Sequence, residues 1–324
     1  MKSALRSLCL ALFAATTAAG AQPQAAYPDR PVKLVVGFPA GQATDLVARV
    51  LAEKLAKSMG QPFIVENKPG QGASLGVGSV AKSAPDGYTM ALTAAAAMVT
   101  NPHLYKNVGY DPLRDFAPCA MLLELPLALV AHPSAPFNTV PELIAYAKAH
   151  PDKLSYASSG NGTMSHLAME RLKRQSGLAL VHVPYQGSVR SMTDLVAGNV
   201  ALAFDTLAVT VPQIEARKLK PIAVATTQRV PSMPNVPTIA ESGVADFTAS
   251  PWLGVVFPAG TPKAIVNRMH AELMKAMDDP AVQKSMQILG AQPRLAGPQE
   301  FEQVLRADHA KWGRIVAESG ARVD

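Results

Sequence analysis

Val36-Gly37-Phe38-Pro39-Ala40-Gly41-Gln42-Ala43-Thr44-Asp45-Leu46 is the stretch whose reading decides the fold. Before it, Val32-Lys33-Leu34-Val35-Val36 is a β-branched, apolar run of strand character. After it, Thr44 to Ser58 carries apolar residues at helical spacing. A strand that ends in a small-residue loop and runs straight into a helix start is a βα step. The N–H groups at such a helix start lack partners within the helix and lie at the positive end of its dipole, which makes the loop a ready anion site. An ordinary βα turn capped by Thr44 or Asp45 is the plainer alternative. Asp45 is expected to hold the loop by accepting backbone N–H bonds rather than to touch an anion.

Working outward, Phe63-Ile64-Val65 reads as a strand, Leu75 to Lys82 as a helix and Tyr88 to Thr93 as a strand. Prolines 28, 31, 69, 85, 102 and 112 fall between these units and close them. The apolar run Met121 to Ala131 reads as a buried strand. A second series follows: helix Val140 to Ala149, with Thr139 as N-cap and Glu142 at capping-box spacing, strand Leu154-Ser155-Tyr156-Ala157 and helix Thr163 to Ser176. Then come strand Val181-His182-Val183, helix Ser188 to Ala197, and strands Val200 to Phe204 and Pro221 to Thr226. Trp252 to Phe257 is one more strand. From Lys263 onward helices dominate, with no sheet of their own, ending in one near Gln299 to Ser319.

This alternation predicts an α/β fold of two lobes, each a mixed sheet flanked by helices. The chain crosses between the lobes near residues 125 and 250. Domain one is then 22–124 plus 251–324 and domain two 125–250. Two crossing segments around a ligand cleft is the layout of a periplasmic binding protein (type II-like), which closes by hinge motion.

Of 324 residues, 48% are hydrophobic and 17% charged, enough apolar sequence for large cores and too much for a disordered chain. Lys2 and Arg6, the apolar run Leu8 to Ala15 and the small-x-small site Ala19-Gly20-Ala21 form a signal peptide, residues 1–21, cleaved near Ala21. Its removal takes Cys9 away, leaves Cys119 as one buried free thiol, and lowers the formal charge from +6 to about +4. No other run reaches the ~20 apolar residues of a membrane span. Without a basic cluster, nucleic acid is excluded as a partner. The seven histidines include no pair three to five residues apart, so no metal site is expected; Gly70-Gln71-Gly72 with Gly76 lacks the acidic partner of a dinucleotide loop, and export argues against a diffusible nicotinamide, so no cofactor is expected either.

A second loop repeats the logic of the first. Tyr156-Ala157-Ser158-Ser159-Gly160-Asn161-Gly162-Thr163-Met164-Ser165-His166-Leu167 is strand, Ser/Gly/Asn loop and helix start. Its hydroxyls and amides suit carboxylate oxygens or bridging water. His166, on the first helical turn, reads as a neutral residue that orders the loop. Asp205 ends a strand at the same edge, where it either accepts from a ligand or caps the next helix. Tyr185-Gln186-Gly187-Ser188 ends another. Ligands of open α/β sheets bind beyond the carboxyl ends of strands, where all these segments lie. Gly72-Ala73-Ser74-Leu75-Gly76 matches a nucleophile elbow, so a secreted serine hydrolase using Ser74 is the alternative. Residues 66–71 separate that motif from its strand, unlike a true elbow.

Tyr27-Pro28-Asp29-Arg30-Pro31, Phe38-Pro39-Ala40-Gly41 with Thr44-Asp45, Glu66-Asn67-Lys68-Pro69-Gly70 and Pro85-Asp86-Gly87-Tyr88-Thr89 occur in order. Ser159-Gly160-Asn161-Gly162-Thr163 with His166-Leu167, Val183-Pro184-Tyr185-Gln186-Gly187 and Pro258-Ala259-Gly260-Thr261-Pro262 follow. Together they resemble the substrate-binding proteins of the tripartite tricarboxylate transporters, the TctC-like Bug receptors. The resemblance implies a periplasmic, monomeric, non-enzymatic receptor that captures a small organic acid and delivers it to an integral membrane permease. A sensor for a membrane signalling partner would share the fold. It further implies ligand contacts from Phe38, Ala40, Gly41, Thr44 and Asp45 in one lobe and Ser159, Gly160, Thr163, His166 and Asp205 in the other, through main chain and water without an arginine clamp. Two departures stand out. Gln42 replaces a small residue, and the wall at Ala94-Ala95-Ala96-Ala97-Met98 lacks hydroxyls, with Ala95 expected against the ligand. Such a wall favours an apolar or aromatic body with one or two carboxylates over citrate, because each buried unpaired oxygen costs about 1–3 kcal/mol.

Overall fold

The computed structural model describes residues 27–319. The signal-peptide reading of 1–21, with Cys9, falls outside them. The chain begins β1 (Val32–Val36), α1 (Ala43–Met59), β2 (Phe63–Asn67), α2 (Ser74–Ala81), β3 (Thr89–Ala94), with β1 parallel to both β2 and β3. A π-helical turn (Ala96–Thr100) leads into α3 (Asn101–Leu104), then β4 (Phe116–Glu124) and β5 (Leu127–Ala131). There follow α4 (Val140–Ala149), β6 (Ser155–Ser158), α5 (Met164–Ser176), β7 (Val181–Pro184), α6 (Ser188–Val196), β8 (Leu202–Thr206), α7 (Leu207–Glu215) and β9 (Lys220–Val224). The chain ends β10 (Trp252–Pro258), α8 (Lys263–Asp278), α9 (Pro280–Ile288), β11 (Gln292–Ala296) and α10 (Pro298–Ser319).

Two mixed sheets result, the two-lobed α/β architecture expected. One has the order β11-β4-β10-β3-β1-β2 and the other β7-β6-β8-β5-β9. Alternation along each strand divides its side chains between two helical layers. Leu34, Val36 and Leu92 join Val47, Leu51 and Leu55 of α1 and Met269 and Leu273 of α8. Val35 and Ala91 face Val77 and Val80 of α2 and Phe301 and Leu305 of α10. In the other lobe, Leu129 and Phe204 meet α4 and α5, whereas Val130 and Ala203 meet Leu195 of α6 and Leu207 of α7. Each fully buried Val, Leu or Phe contributes about 1.5–3 kcal/mol. α10 also reaches the second lobe, where Val316 clusters with Leu167 and Trp312 packs against the cores of both lobes.

Three sequence expectations need correction. The run 121–131 is not one strand: Leu125-Pro126 breaks it, and β4 and β5 belong to different sheets. The C-terminal helices are accompanied by a strand, β11, which adds to the edge of the first sheet; its exposed residues and Pro293 hid it. α7 was absent from the expectation because Pro212 lies inside it.

The loop after β1 is held close to α2 by glycine. A Cβ on Gly76 would lie 2.8 Å from Gly37 Cα and 2.8 Å from Lys68 O, both backbone atoms that cannot step aside. Gly76→Ala is therefore expected to cost about 1–3 kcal/mol through overpacking. A urea unfolding midpoint equal to that of the unaltered protein would contradict this packing.

Candidate functional site

The two segments that pass between the sheets touch each other. Leu125 N–H donates to Pro251 O at 2.8 Å. Leu125, Leu127, Pro251 and Leu253 form the apolar floor of a cavity of about 60 Å³, and Phe38, Ala94, Ala96 and Met164 extend its apolar wall. Phe38 and Ser159 also line an outer cavity of about 490 Å³, which carries Arg190.

In the first lobe, α1 starts at Ala43, with Gln42 as its N-cap. This differs from the expected Thr44 or Asp45 cap, and the Gln42 side chain makes no capping bond. Asp45 instead fastens the loop from within the helix. Its Oδ2 accepts from Gly41 N–H at 2.8 Å and Arg49 Nε at 3.0 Å, and its Oδ1 accepts from Asn67 Nδ2 at 2.9 Å. Burial opposes its ionisation, but these donors outweigh it and hold the carboxyl below its ordinary range. Asn67 also donates to Phe38 O at 2.9 Å. The first helical bond is Leu46 N–H to Gln42 O. The N–H groups of Ala43 and Thr44, both cavity-lining residues, are thus left without helical acceptors.

In the second lobe, Thr163 precedes α5, and Leu167 N–H to Thr163 O is the first bond of that helix. Thr163 Oγ1 donates to Gly160 O at 2.7 Å, and the hydroxyls of Ser159, Thr163 and Ser165 form a mutual cluster at 2.9 to 3.3 Å. His166 Nδ1 accepts from Gly162 N–H at 3.2 Å, which requires the neutral ring at that nitrogen. The ring stacks on His182 at 4.1 Å. Burial lowers the pKa of both; His182, with His166 a further cause, falls to about 4. The pair is a neutral prop behind the loop.

Two more helices begin at the same cavity. Gly187 precedes α6 and Thr206 precedes α7, and Ser188 and Thr206 both line the space. Asp205, fully inside the protein on β8, is the one residue with a charge-bearing side chain in this wall. Its Oδ1 accepts from Ser188 Oγ and from Thr206 N–H, each at 2.8 Å, whereas Oδ2 has no partner. Burial pushes its pKa up to about 6, only partly offset by those bonds. Gln42, 5% exposed, has a buried Nε2 without a partner, and a Cβ on Gly187 would lie 2.1 Å from that atom. The first lobe thus touches the second at the start of α6. The lobes also meet where Thr100 Oγ1 donates to Gly162 O and Tyr105 Oη to Asn161 O.

Of the residues singled out in the sequence, Phe38, Gln42, Thr44, Ser159, Thr163 and Asp205 line the inner cavity, and Gly160 the outer one. Ala40, Gly41, Asp45, Ala95 and His166 line neither of these cavities. Gly41 spends its N–H on Asp45, and Ala95 points into the core with Val99, leaving the wall to Ala94 and Ala96. The starts of α6 and α7 also belong to this site: α7 follows β8 without a break and α6 follows β7 after three residues, which is the signal that finds them. Ser74 is completely buried, accepts from Asn101 Nδ2 at 2.9 Å, and has no histidine among its hydrogen-bond partners. Among the described residues no cluster of three metal-ligating side chains occurs, and no helix is long and apolar enough to cross a membrane.

The two sheets, the cleft between them and the ring of helix starts define a substrate-binding protein of the periplasmic type. The model of the tripartite tricarboxylate transporter family receptor matches residues 47–321, and the chain belongs to that family. The structure of the periplasmic binding protein BugD is similar at 37% identity and a TM-score of 0.87, over 91% of this chain and 99% of that one. R. palustris Rpa4515 with adipate is similar at 34% identity and TM-score 0.88, over 92% and 100%. MatC from Rhodopseudomonas palustris with bound malate is similar at 32% and 0.84, over 90% and 100%.

The raised Asp205 pKa carries a stability signature. The folded protein binds this proton more tightly than the unfolded chain, whose pKa is the ordinary 3.8. The resulting stabilisation is complete below pH 3.8 and is lost as pH rises through about 6. Relative to Asp205→Asn, the unaltered protein is expected to lose about 2 kcal/mol between pH 4 and pH 7, most of the roughly 3 kcal/mol that the whole shift is worth at 1.36 kcal/mol per unit. Paired denaturant titrations at the two pH values measure the difference, and a gap independent of pH would refute the assignment.

Proposed function

We propose that the protein is exported, with residues 1–21 removed near Ala21, and that it captures a small carboxylate in the interlobe cleft for delivery to a tripartite tricarboxylate-type permease. The observation that carries this reading is the convergence of the starts of α1, α5, α6 and α7, drawn from both lobes, on one cavity without a basic side chain. Helix N-termini stabilise negative charge through aligned dipoles and free N–H groups, so a carboxylate needs no arginine there. The relatives bound to adipate and malate point to the same ligand class.

Closure follows from where the donors come from. Residues 22–124 with 251–324 act as one body and 125–250 as the other, and a ligand that takes bonds from both stabilises the closed state alone. Ala94, Ala96, Leu125, Leu127 and Leu253 offer nothing to a polar ligand body, which selects a mostly apolar acid over citrate.

Calorimetric titration with mono-, di- and tricarboxylates tests the reading. A mono- or dicarboxylate is expected to bind best, and Thr163→Val to weaken it about tenfold, a cost of about 1–1.5 kcal/mol, because the Thr163 hydroxyl, whose hydrogen holds Gly160 O, fixes the loop at the α5 start. Tightest binding of citrate would overturn the apolar-wall argument. Heatless titrations across the whole panel would overturn the carboxylate reading.

A further inference from the structure

Three cavity-lining residues carry a buried side-chain atom with no hydrogen-bond partner among the described residues: Gln42 Nε2, Asp205 Oδ2 and the Thr206 hydroxyl, which adjoins the Asp205 carboxyl. Asp205 Oδ2 is buried without a partner, on a side chain 2% exposed. The Gln42 carboxamide, on a residue 5% exposed, enters no hydrogen bond among the described residues, and its Nε2 is buried. Gln42 and Asp205 belong to one wall. Gln42 abuts Gly187, the next residue Ser188 starts α6, and Ser188 Oγ is bonded to Asp205 Oδ1 at 2.8 Å. Each is held in place by its surroundings: Gln42 by the loop that Asp45 fastens, Asp205 by Ser188 and the Thr206 amide.

Desolvated polar groups of this kind are costly unless a ligand completes them. Asp205 Oδ2 takes a donor. The Gln42 amide, whichever way it is turned, supplies both a donor and an acceptor. A second ionised carboxylate on the ligand meets the Gln42 N–H but faces the Asp205 carboxylate with no cation between them, because no basic residue lines this cavity. A carboxamide or hydroxyl satisfies both protein groups at once, its oxygen accepting from Gln42 and its hydrogen donated to Asp205.

We infer that Gln42 and Asp205 form a specificity subsite, so that the acid this cleft takes carries a hydrogen-bond donor, a carboxamide or hydroxyl, in addition to its carboxylate. The inference rests on the carboxylate reading above and narrows it. The raised pKa of Asp205 adds a dependence on pH. The groups that meet Asp205 are Ser188 of α6, Thr206 at the start of α7 and Ala128 across the ladder on β5, none of which titrates in the relevant range. At acid pH the protonated Asp205 itself becomes the donor, and a dicarboxylate is then tolerated.

The test is calorimetric titration of the full mature chain with diacids from succinate to adipate and with their half-amides of equal length, at pH 8 and pH 5. At pH 8 the best half-amide is expected to bind about tenfold tighter than the matching diacid, a difference of about 1.4 kcal/mol, within the range for one buried acceptor left unpaired. The gap is expected to shrink at pH 5 and to disappear at both pH values in Asp205→Asn. Gln42→Ala is expected to weaken half-amide and diacid alike, since both take its N–H, and unchanged binding of both would remove Gln42 from the subsite. Diacids binding as well as half-amides at pH 8 would overturn the subsite while leaving the carboxylate reading intact. Silence from both series in the unaltered protein would remove the carboxylate reading and the subsite with it.

Discussion

The unpaired N–H groups at the start of a buried helix are the constraint on which this structure turns. A helix cannot satisfy its own first donors, and a protein that buries several such ends around one space must supply acceptors or leave the space for a ligand that does. Here α1, α5, α6 and α7 all begin at the cleft because each follows directly from the carboxyl end of a strand, β1, β6, β7 and β8. The sheets fix where those strands end, and the helical layers packed on them fix the direction of each helix. Architecture and site are therefore one consequence of the βα step.

That arrangement explains a composition poor in charge. Binding an anion through dipoles and amides requires no cluster of arginines, and the inner cavity contains none. Asp205 runs against this trend. A buried carboxyl near helix starts is stabilised by its own two donors, yet its remaining oxygen is buried without a partner, and burial pushes its pKa up to about 6. A position that works against simple anion binding acts as a filter, because it penalises the wrong ligand more than it rewards the right one.

Much of this was legible in the chain. The strand-loop-helix pattern around Gly37 to Thr44 and around Ser158 to Thr163 is local, set by apolar runs meeting small residues, and both loops sit where that pattern puts them. The capping box at Thr139 and Glu142 is likewise local, with Thr139 Oγ1 accepting from Glu142 N–H at 3.3 Å. Contacts between distant residues were not legible. Gln42 meets Gly187 only once both lobes have folded against each other, and no spacing rule connects them. The wall at Ala94 and Ala96 depends on a π-helical turn that shifts the side-chain phase after β3 and turns Ala95 into the core. α7 and β11 escaped because Pro212 and Pro293 sit inside them.

The central claim is that a carboxylate is held in the inner cavity by helix starts from both lobes, without a cation. A crystal structure of the mature protein with the tightest-binding acid measures this directly. The ligand carboxylate is expected within hydrogen-bond distance of the N–H groups at Ala43 or Thr44 and at Met164 or Ser165, directly or through one ordered water. A carboxylate paired instead with the Arg190 guanidinium in the outer cavity, with the inner one unfilled, would contradict the claim.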